Sequence, residues 1–409
     1  MRILEVRQPQ EVAHLMQEIG VDPYGIKLMV LKAQSYLLRI NGLPCIAANI
    51  IKQEMLSVGA DAALSKGALT GGKIKKTDCL LFGTLAQLNR LCEKLSKQPF
   101  GLQNVSQELE LSLNNYKKDN FIFCCADKKL VLGKKPRIMG IVNLTTDSFS
   151  GDGVLQVTGD RARLPLAGRG TVEKAVAKAQ QMVKEGADII DVGGESSRPG
   201  AKSITLKEEL NRVIPVIAAL VNKIKVPISI DTYKPEIAKA ALNSGAVIIN
   251  DIAGLRNPKM RKVAANFKAG VVMMHMKGNP GNMQKLASYS SLIDELISYF
   301  KKAFCNAIEA GVSKESIIID PGIGFAKSTE HNLEVLKHLR EIKILGLPIL
   351  VGTSRKSFIG KILGALPEER IFGTVASSVV ACMYGASIVR VHDVGAVSQA
   401  LKVSSAITD

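Results

Sequence analysis

From Arg137 onward, short apolar runs alternate with longer stretches in which apolar residues recur every three to four positions. The runs are Ile138–Leu144, Asp188–Val192, Pro227–Ile230, Val247–Ile249, Val271–Met274, Ile317–Ile319, Ile349–Val351 and Ile388–Val391. Most are rich in Ile and Val, the pattern of a strand buried on both faces. Between them Thr171–Lys184, Lys207–Asn222, Pro235–Asn243, Leu292–Ala310 and His331–Leu345 have helical spacing. Strands separated by amphipathic helices pair in parallel. Eight such units suit a closed (β/α)8 TIM barrel of roughly 250 residues better than an open doubly wound sheet.

Residues 1–118 read differently, as a smaller mixed α/β module. Lys27–Ile40 is apolar enough for one or two strands, and Pro44–Val58 has helical spacing with Pro at its start and Gly59 beyond it. A short strand is expected around Cys79–Phe82, then helices over Thr84–Lys97 and Val105–Lys117. The small-residue loop at Gly67–Gly72 lacks the spacing of a phosphate-binding loop and reads as a connector. Residues 119–136 form a linker and a hairpin, FIFCC and KLVLG, leading into the barrel at 137–409.

Composition narrows the class. The 409 residues are 46% hydrophobic and 22% charged, which is globular. With aromatics at 4% and no Trp, the core must be aliphatic. A net charge of +17 invites a nucleic-acid reading, but the basic residues are spread out and no dense basic run is interleaved with aromatics. A solvated basic surface that attracts phosphorylated small molecules is the better reading, with no nucleic-acid partner. The seven cysteines include no C-x-x-C pair and read as reduced thiols of a cytoplasmic protein. No apolar run reaches the length of a membrane span.

Polar groups fall at the C-terminal ends of the runs: Asn143; Asp191 and Glu195; Asp231; Asn250 and Asp251; His275; Asp320; Ser354–Ser357; Arg390 and His392. A single Asp after a strand is ordinarily a helix cap. All the strand ends behaving this way together describe a barrel mouth lined with chemistry.

The segments IMGIVNLTTDSFS, GADIIDVGGESSRPGA, PISIDTYKPEIAKAAL, IINDI, MHMKGNP, IIDPGIGFAKSTEHNLEVL, LVGTSRKSFIG and IVRVHDV together resemble dihydropteroate synthase, in that family's order. The resemblance runs from Arg137 to the C-terminus. It implies a transferase that joins 6-hydroxymethyl-7,8-dihydropterin diphosphate to 4-aminobenzoate, releases pyrophosphate, uses Mg²⁺ and works as a homodimer. By the same resemblance Asp320 anchors the pterin, Asp231 and Asn250 complete its hydrogen bonds, and Met276 and Phe325 wall the ring. Asn143, Arg390 and His392 hold the diphosphate, Asn143 as the Mg²⁺ ligand. Lys356 stands near both substrates and Ser357 on the carboxylate side of the aminobenzoate. Ser197, Arg198 and Pro199 match the second mobile loop, and Phe149 the first. For Asp231, Asn250, His392 and Arg355, structural roles are the competing readings.

The first loop departs from the family pattern. Thr146 replaces a Pro, Gly151 stands where an acid is usual, and the acid is displaced to Asp152, while Asp147 is retained. A long connection, VLQVTGDRARLPLAGRG, follows; such loops are lids or insertions more often than decoration. Ala326 stands where Gly is usual. Two rivals remain. A pterin-dependent methyltransferase shares the barrel but has no use for diphosphate contacts. A pterin-binding protein that lost activity through its first loop is the other.

Overall fold

A computed structural model describes the chain except for residues 5, 7–8, 70–73, 134, 145–168, 199, 202 and 409. The expected residues Asp147, Phe149, Asp152 and Pro199 therefore lie outside the described residues. The chain divides into two compact units, Met1–Asn114 and Asn115–Asp409.

In the first unit β1 (Ser35–Pro44), β2 (Asp61–Leu64) and β3 (Lys76–Thr84) form an antiparallel sheet in the order β1-β3-β2. Ile51, Met55, Leu81, Leu88, Leu91 and Leu95 are fully buried in its core. The helix Leu85–Leu95 starts directly from β3 because Thr84 and Gln87 form a reciprocal capping box. The expectation of strand over Lys27–Ile40 is half wrong. Pro23–Ala33 is a helix, and β1 begins only at Ser35. The Asp22 carboxylate accepts from the Tyr24 and Gly25 amides, and Pro23 has the φ of a first helical turn. That local start signal outweighs the strand-like apolar run.

The second unit opens with a hairpin, β4 (Phe121–Cys125) and β5 (Lys128–Leu132). Eight parallel strands follow: β6 (Arg137–Asn143), β7 (Ile189–Gly193), β8 (Ile228–Asp231), β9 (Ile248–Asp251), β10 (Gly270–Met274), β11 (Ile317–Asp320), β12 (Leu350–Val351) and β13 (Ile388–Val391). Their order is β11-β10-β9-β8-β7-β6-β13-β12, and a parallel bridge between Ile319 and Ile349 joins the two ends. The expected barrel is present. The helix expected over His331–Leu345 is two pieces, Thr329–Lys337 and a 3-10 stretch Leu339–Leu345, ended by Gly346 in the left-handed region.

Strand alternation sorts the barrel. One set of side chains, such as Ile138, Val142, Ile190, Ile230 and Ile249, packs outward under the helices. The other set faces the axis. Near the strand starts it is apolar, with Met139, Ile189, Ile248, Val272, Ile318 and Ile388 packed on Phe123, Cys125 and Leu132 of the hairpin. The hairpin thus plugs the N-terminal end of the barrel. Gly270 permits the approach, since a Cβ there would lie 2.5 Å from the Phe123 ring. Toward the strand ends the axial positions turn polar, and the candidate site begins there.

Candidate active site at the barrel mouth

Arg390 lies inward on β13 and spans the barrel. Its Nε donates to Asp191 Oδ2 at 2.7 Å on β7, and its Nη2 to Asp231 Oδ2 at 2.6 Å on β8. Asn250 on β9 donates to the same Asp191 oxygen at 3.0 Å. These four side chains form a charged floor across four strands. Asp191 is fully buried, and its Oδ1 and the neighbouring Ser229 Oγ have no protein partner among the described residues. Burial, reinforced by Asp191 and Glu209 and opposed by Arg390, pushes the Asp231 carboxyl up to about 7. The flanking carboxylates hold the Arg390 guanidinium charged.

Beside that floor stand the residues of the strand ends β10, β11 and β12. Asp320 closes β11, and its Oδ1 accepts from the Gly322 amide at 2.7 Å. Its Oδ2 is without a hydrogen bond among the described residues, and burial raises this carboxyl above its ordinary range. Met276 and Phe325 are buried in a cluster with Ile252, Met274, Met283 and Ala326. Lys356 Nζ sits over the Phe325 ring at 4.3 Å. Gly324 lets the lysine stem pass, since a Cβ there would lie 3.1 Å from Lys356 Cδ. Burial first, then Arg390, lowers the Lys356 ammonium to about 8, opposed by Asp320 and Asp231.

One further group sits at the end of β13. His392 Nδ1 is 2.9 Å from Ser354 Oγ, and its Nε2 is 3.4 Å from Asn143 Nδ2 on β6. Burial, with Arg390 and Arg355 adding, lowers His392 well below its usual value, so the ring is neutral. Arg355 makes a two-point pair with Asp393, at 3.0 and 2.6 Å, that ties the loop after β12 to the loop after β13. The pair is mostly buried, so Arg355 is not a solvated surface charge. Ser357 is exposed at the first turn of the helix Ser357–Leu363.

The loop after β7 carries Ser197, half-buried, and Arg198, exposed. Its root is held by Glu195, whose carboxylate accepts from Tyr233 Oη at 2.8 Å and from Lys234 Nζ at 2.5 Å. Lys234 also reaches the buried Glu209 at 2.7 Å. Asp251 is likewise structural, accepting from the Ala253 and Leu255 amides of its own loop.

Asn143, Asp231, Asn250, Asp320, Met276, Phe325, Lys356, Arg390 and His392 all stand at strand ends or in the loops that follow them. Three members of the site went unassigned in the sequence. Asp191 carried a signal: counting by two from the axial Ile189 makes it an axial acid. Ser354 stood among the polar strand ends without a role of its own, and Lys327 carried no signal, because burial of a Lys leaves no mark on residue pattern.

Among the described residues no cluster of three or more His, Cys, Asp or Glu could cage a metal. The Asn143 amide beside neutral His392 fits Mg²⁺ only as a cation that draws most of its ligands from substrate oxygens and water.

Residues 139–392 match the family described as pterin binding enzyme. A dihydropteroate synthase of Synechocystis is 49% identical over 277 residues, 67% of this chain and 91% of that protein. The Yersinia pestis dihydropteroate synthase in complex with a sulfonamide drug superposes with a TM-score of 0.64 at 39% identity, covering 70% of this chain and 99% of the other. The Xanthomonas albilineans enzyme with 4-aminobenzoic acid gives 0.63 at 41%, covering 71% and 98%. The chain belongs to the pterin-binding enzymes, in the company of the dihydropteroate synthases.

Proposed function

We propose that this chain is a dihydropteroate synthase, a transferase that condenses 6-hydroxymethyl-7,8-dihydropterin diphosphate with 4-aminobenzoate to give 7,8-dihydropteroate and pyrophosphate in folate biosynthesis. The observation that carries this reading is the pairing, in one mouth, of an acceptor slot at Asp320 with a guanidinium at Arg390. A dihydropterin offers an N–H pair on one edge, and a buried carboxylate with an unused oxygen suits it. Asp231 and Asn250 bond the ring from neighbouring strands, and Met276 and Phe325 stack on its faces.

The methylene then points toward β13, where Arg390, His392 and Asn143 receive the diphosphate. Loops at the ends of the seventh and eighth barrel strands are a usual phosphate site of this architecture. Asn143 would hold Mg²⁺, which when bound would supply neutralisation of diphosphate charge. In the reaction the methylene C–O bond breaks, and its electron pair leaves with pyrophosphate. The aromatic amine forms the new C–N bond and gives up a proton to solvent. Arg390 stabilises the leaving charge, an electrostatic contribution that needs no covalent enzyme intermediate. Lys356, over Phe325, serves the meeting point of the two substrates. In this reading Ser357, Ser197 and Arg198 serve the aminobenzoate; Pro199, Phe149, Asp147 and Asp152 join them by resemblance alone and lie outside the described residues.

We further propose that the enzyme uses Mg²⁺ and works as a homodimer in the cytoplasm. The C-terminal helices carry a run of exposed apolar residues, Phe372, Val403 and Ile407 among them, with Phe372 at 82% exposure. An unpaired patch of that kind suits contact with a second copy. No described helix is long and apolar enough to cross a membrane.

The test is pyrophosphate release by the purified chain given both substrates and Mg²⁺. Saturable pterin binding without product would sink the synthase reading and leave a methyltransferase or a silent pterin binder.

A further inference from the structure

We propose that Lys327 is a positioning residue, a buried ammonium that clamps together the two walls of the slot assigned above to the pterin; the inference rests on that assignment. Lys327 follows β11 and is 3% exposed. A lysine so deeply buried needs partners that repay its lost hydration. Its Nζ is 3.0 Å from His275 Nδ1 and donates to the Phe325 carbonyl at 3.2 Å. His275 immediately precedes Met276, one wall, and Phe325 is the other. One side chain therefore holds both.

The surroundings confirm that the two loops are built as a unit. The His275 amide donates to the Asp320 carbonyl at 2.9 Å. Gly322 is packed so closely that a Cβ would lie 2.1 Å from the His275 carbonyl oxygen. Tyr289 Oη donates to the Ala326 carbonyl at 2.8 Å, and Ala326 itself is held at φ +50°. The His275 ring packs edge-on against Tyr299 at 4.8 Å. Burial drives His275 down to about 2, so its ring is neutral and Nδ1 can accept from the ammonium.

The groups facing Lys327 are Asp320 from β11, His275 and Lys277 from the loop after β10, Lys356 from the loop after β12, and the Tyr289 ring at 6.0 Å. Burial, with Lys277 and Lys356 adding and Asp320 opposing, lowers the ammonium to about 7. The clamp is charged below that pH and loses its charge above it.

The experiment uses the full chain with Lys327→Met and Lys327→Arg. Affinity for a dihydropterin lacking the diphosphate is measured by calorimetry at pH 6.5 and 8.5, and amide hydrogen exchange is followed in the free proteins. Lys327→Met should weaken pterin binding about tenfold at pH 6.5, the scale of a lost charged hydrogen bond. Lys327→Arg should recover most of it and hold its affinity better than the wild type as pH rises. The ratio of those two proteins cancels the other titrating groups they share. Exchange should quicken in Lys327→Met at 275–277 and 321–328 together, with the rest of the barrel unchanged.

Pterin affinity within twofold of wild type in Lys327→Met, or an Arg variant as weak as the Met variant, would overturn the clamp. So would exchange that quickens uniformly or in one loop alone, as simple destabilisation predicts. A wild-type chain that binds no pterin would reject the functional reading instead, and the exchange comparison would still decide whether the two loops are clamped.

Discussion

Arg390 offers the sharpest perturbation because it holds two buried carboxylates at once. Its side chain is 19% exposed, against 0% for Asp191 and 10% for Asp231. Arg390→Ala leaves both acids facing each other in a low-dielectric floor. Removing one partner of a buried pair costs about 3–5 kcal/mol, and the partial exposure here argues for the lower end, about 3 kcal/mol. The loss depends on pH with a definite sign. Without the guanidinium, which opposes burial, the Asp231 carboxyl rises further above its present value of about 7. A carboxyl raised on folding keeps its stability below the unfolded value, about 4, and loses it as pH climbs through the folded one. Urea unfolding of Arg390→Ala and wild type at pH 5 and pH 8 should therefore show a small deficit at pH 5 and the full one at pH 8. A deficit below about 1 kcal/mol that is equal at both pH values would refute the reasoning. The same geometry makes the alanine variant a poor probe of phosphate binding, since it also disturbs Asp231. Arg390→Lys keeps the charge and loses the fork; it should weaken the diphosphate substrate far more than a pterin lacking phosphate, and equal losses would reject the assigned role.

Other substitutions separate framework from site. Phe123→Ala, in the hairpin plug, should cost about 3–5 kcal/mol in urea unfolding while leaving kcat of the folded enzyme unchanged. Lys356→Met should lower turnover roughly a hundredfold with stability preserved or improved, because a buried, partly desolvated cation is removed; turnover within threefold would remove Lys356 from the reaction. Lys234→Met leaves Glu195 and Glu209 without their shared cation and should raise KM for aminobenzoate more than for the pterin. Equal changes in both would mean that the network serves stability alone.

How much of this was legible in the residues varies with the physics involved. Ile and Val runs punctuated by amphipathic helices announce a barrel, because each strand must be buried on both faces. The ends of those runs also announced Asp231, Asn250, Asp320, Arg390 and His392 as a group. What alternation marks but motif comparison passed over is Asp191, the acid that orients Arg390. What neither marks is Lys327, since a lysine's burial depends on which loops fold over it. Lys27–Ala33 misled because its apolar content suits strand or helix equally, and the cap at Asp22 decided the matter. Glu195 stood among the polar groups at the strand ends, yet its carboxylate is spent on Tyr233 and Lys234.

The most direct test of the account is a crystal structure of the chain with a non-hydrolysable pterin diphosphate and Mg²⁺. The account predicts the ring between Met276 and Phe325 with its N–H edge on Asp320. The diphosphate should lie on Arg390 and His392, with Arg390 still held by Asp191 and released from Asp231. A pterin bound away from Asp320, or a diphosphate that leaves the Arg390–Asp231 pair intact and makes no contact with β13, would contradict it.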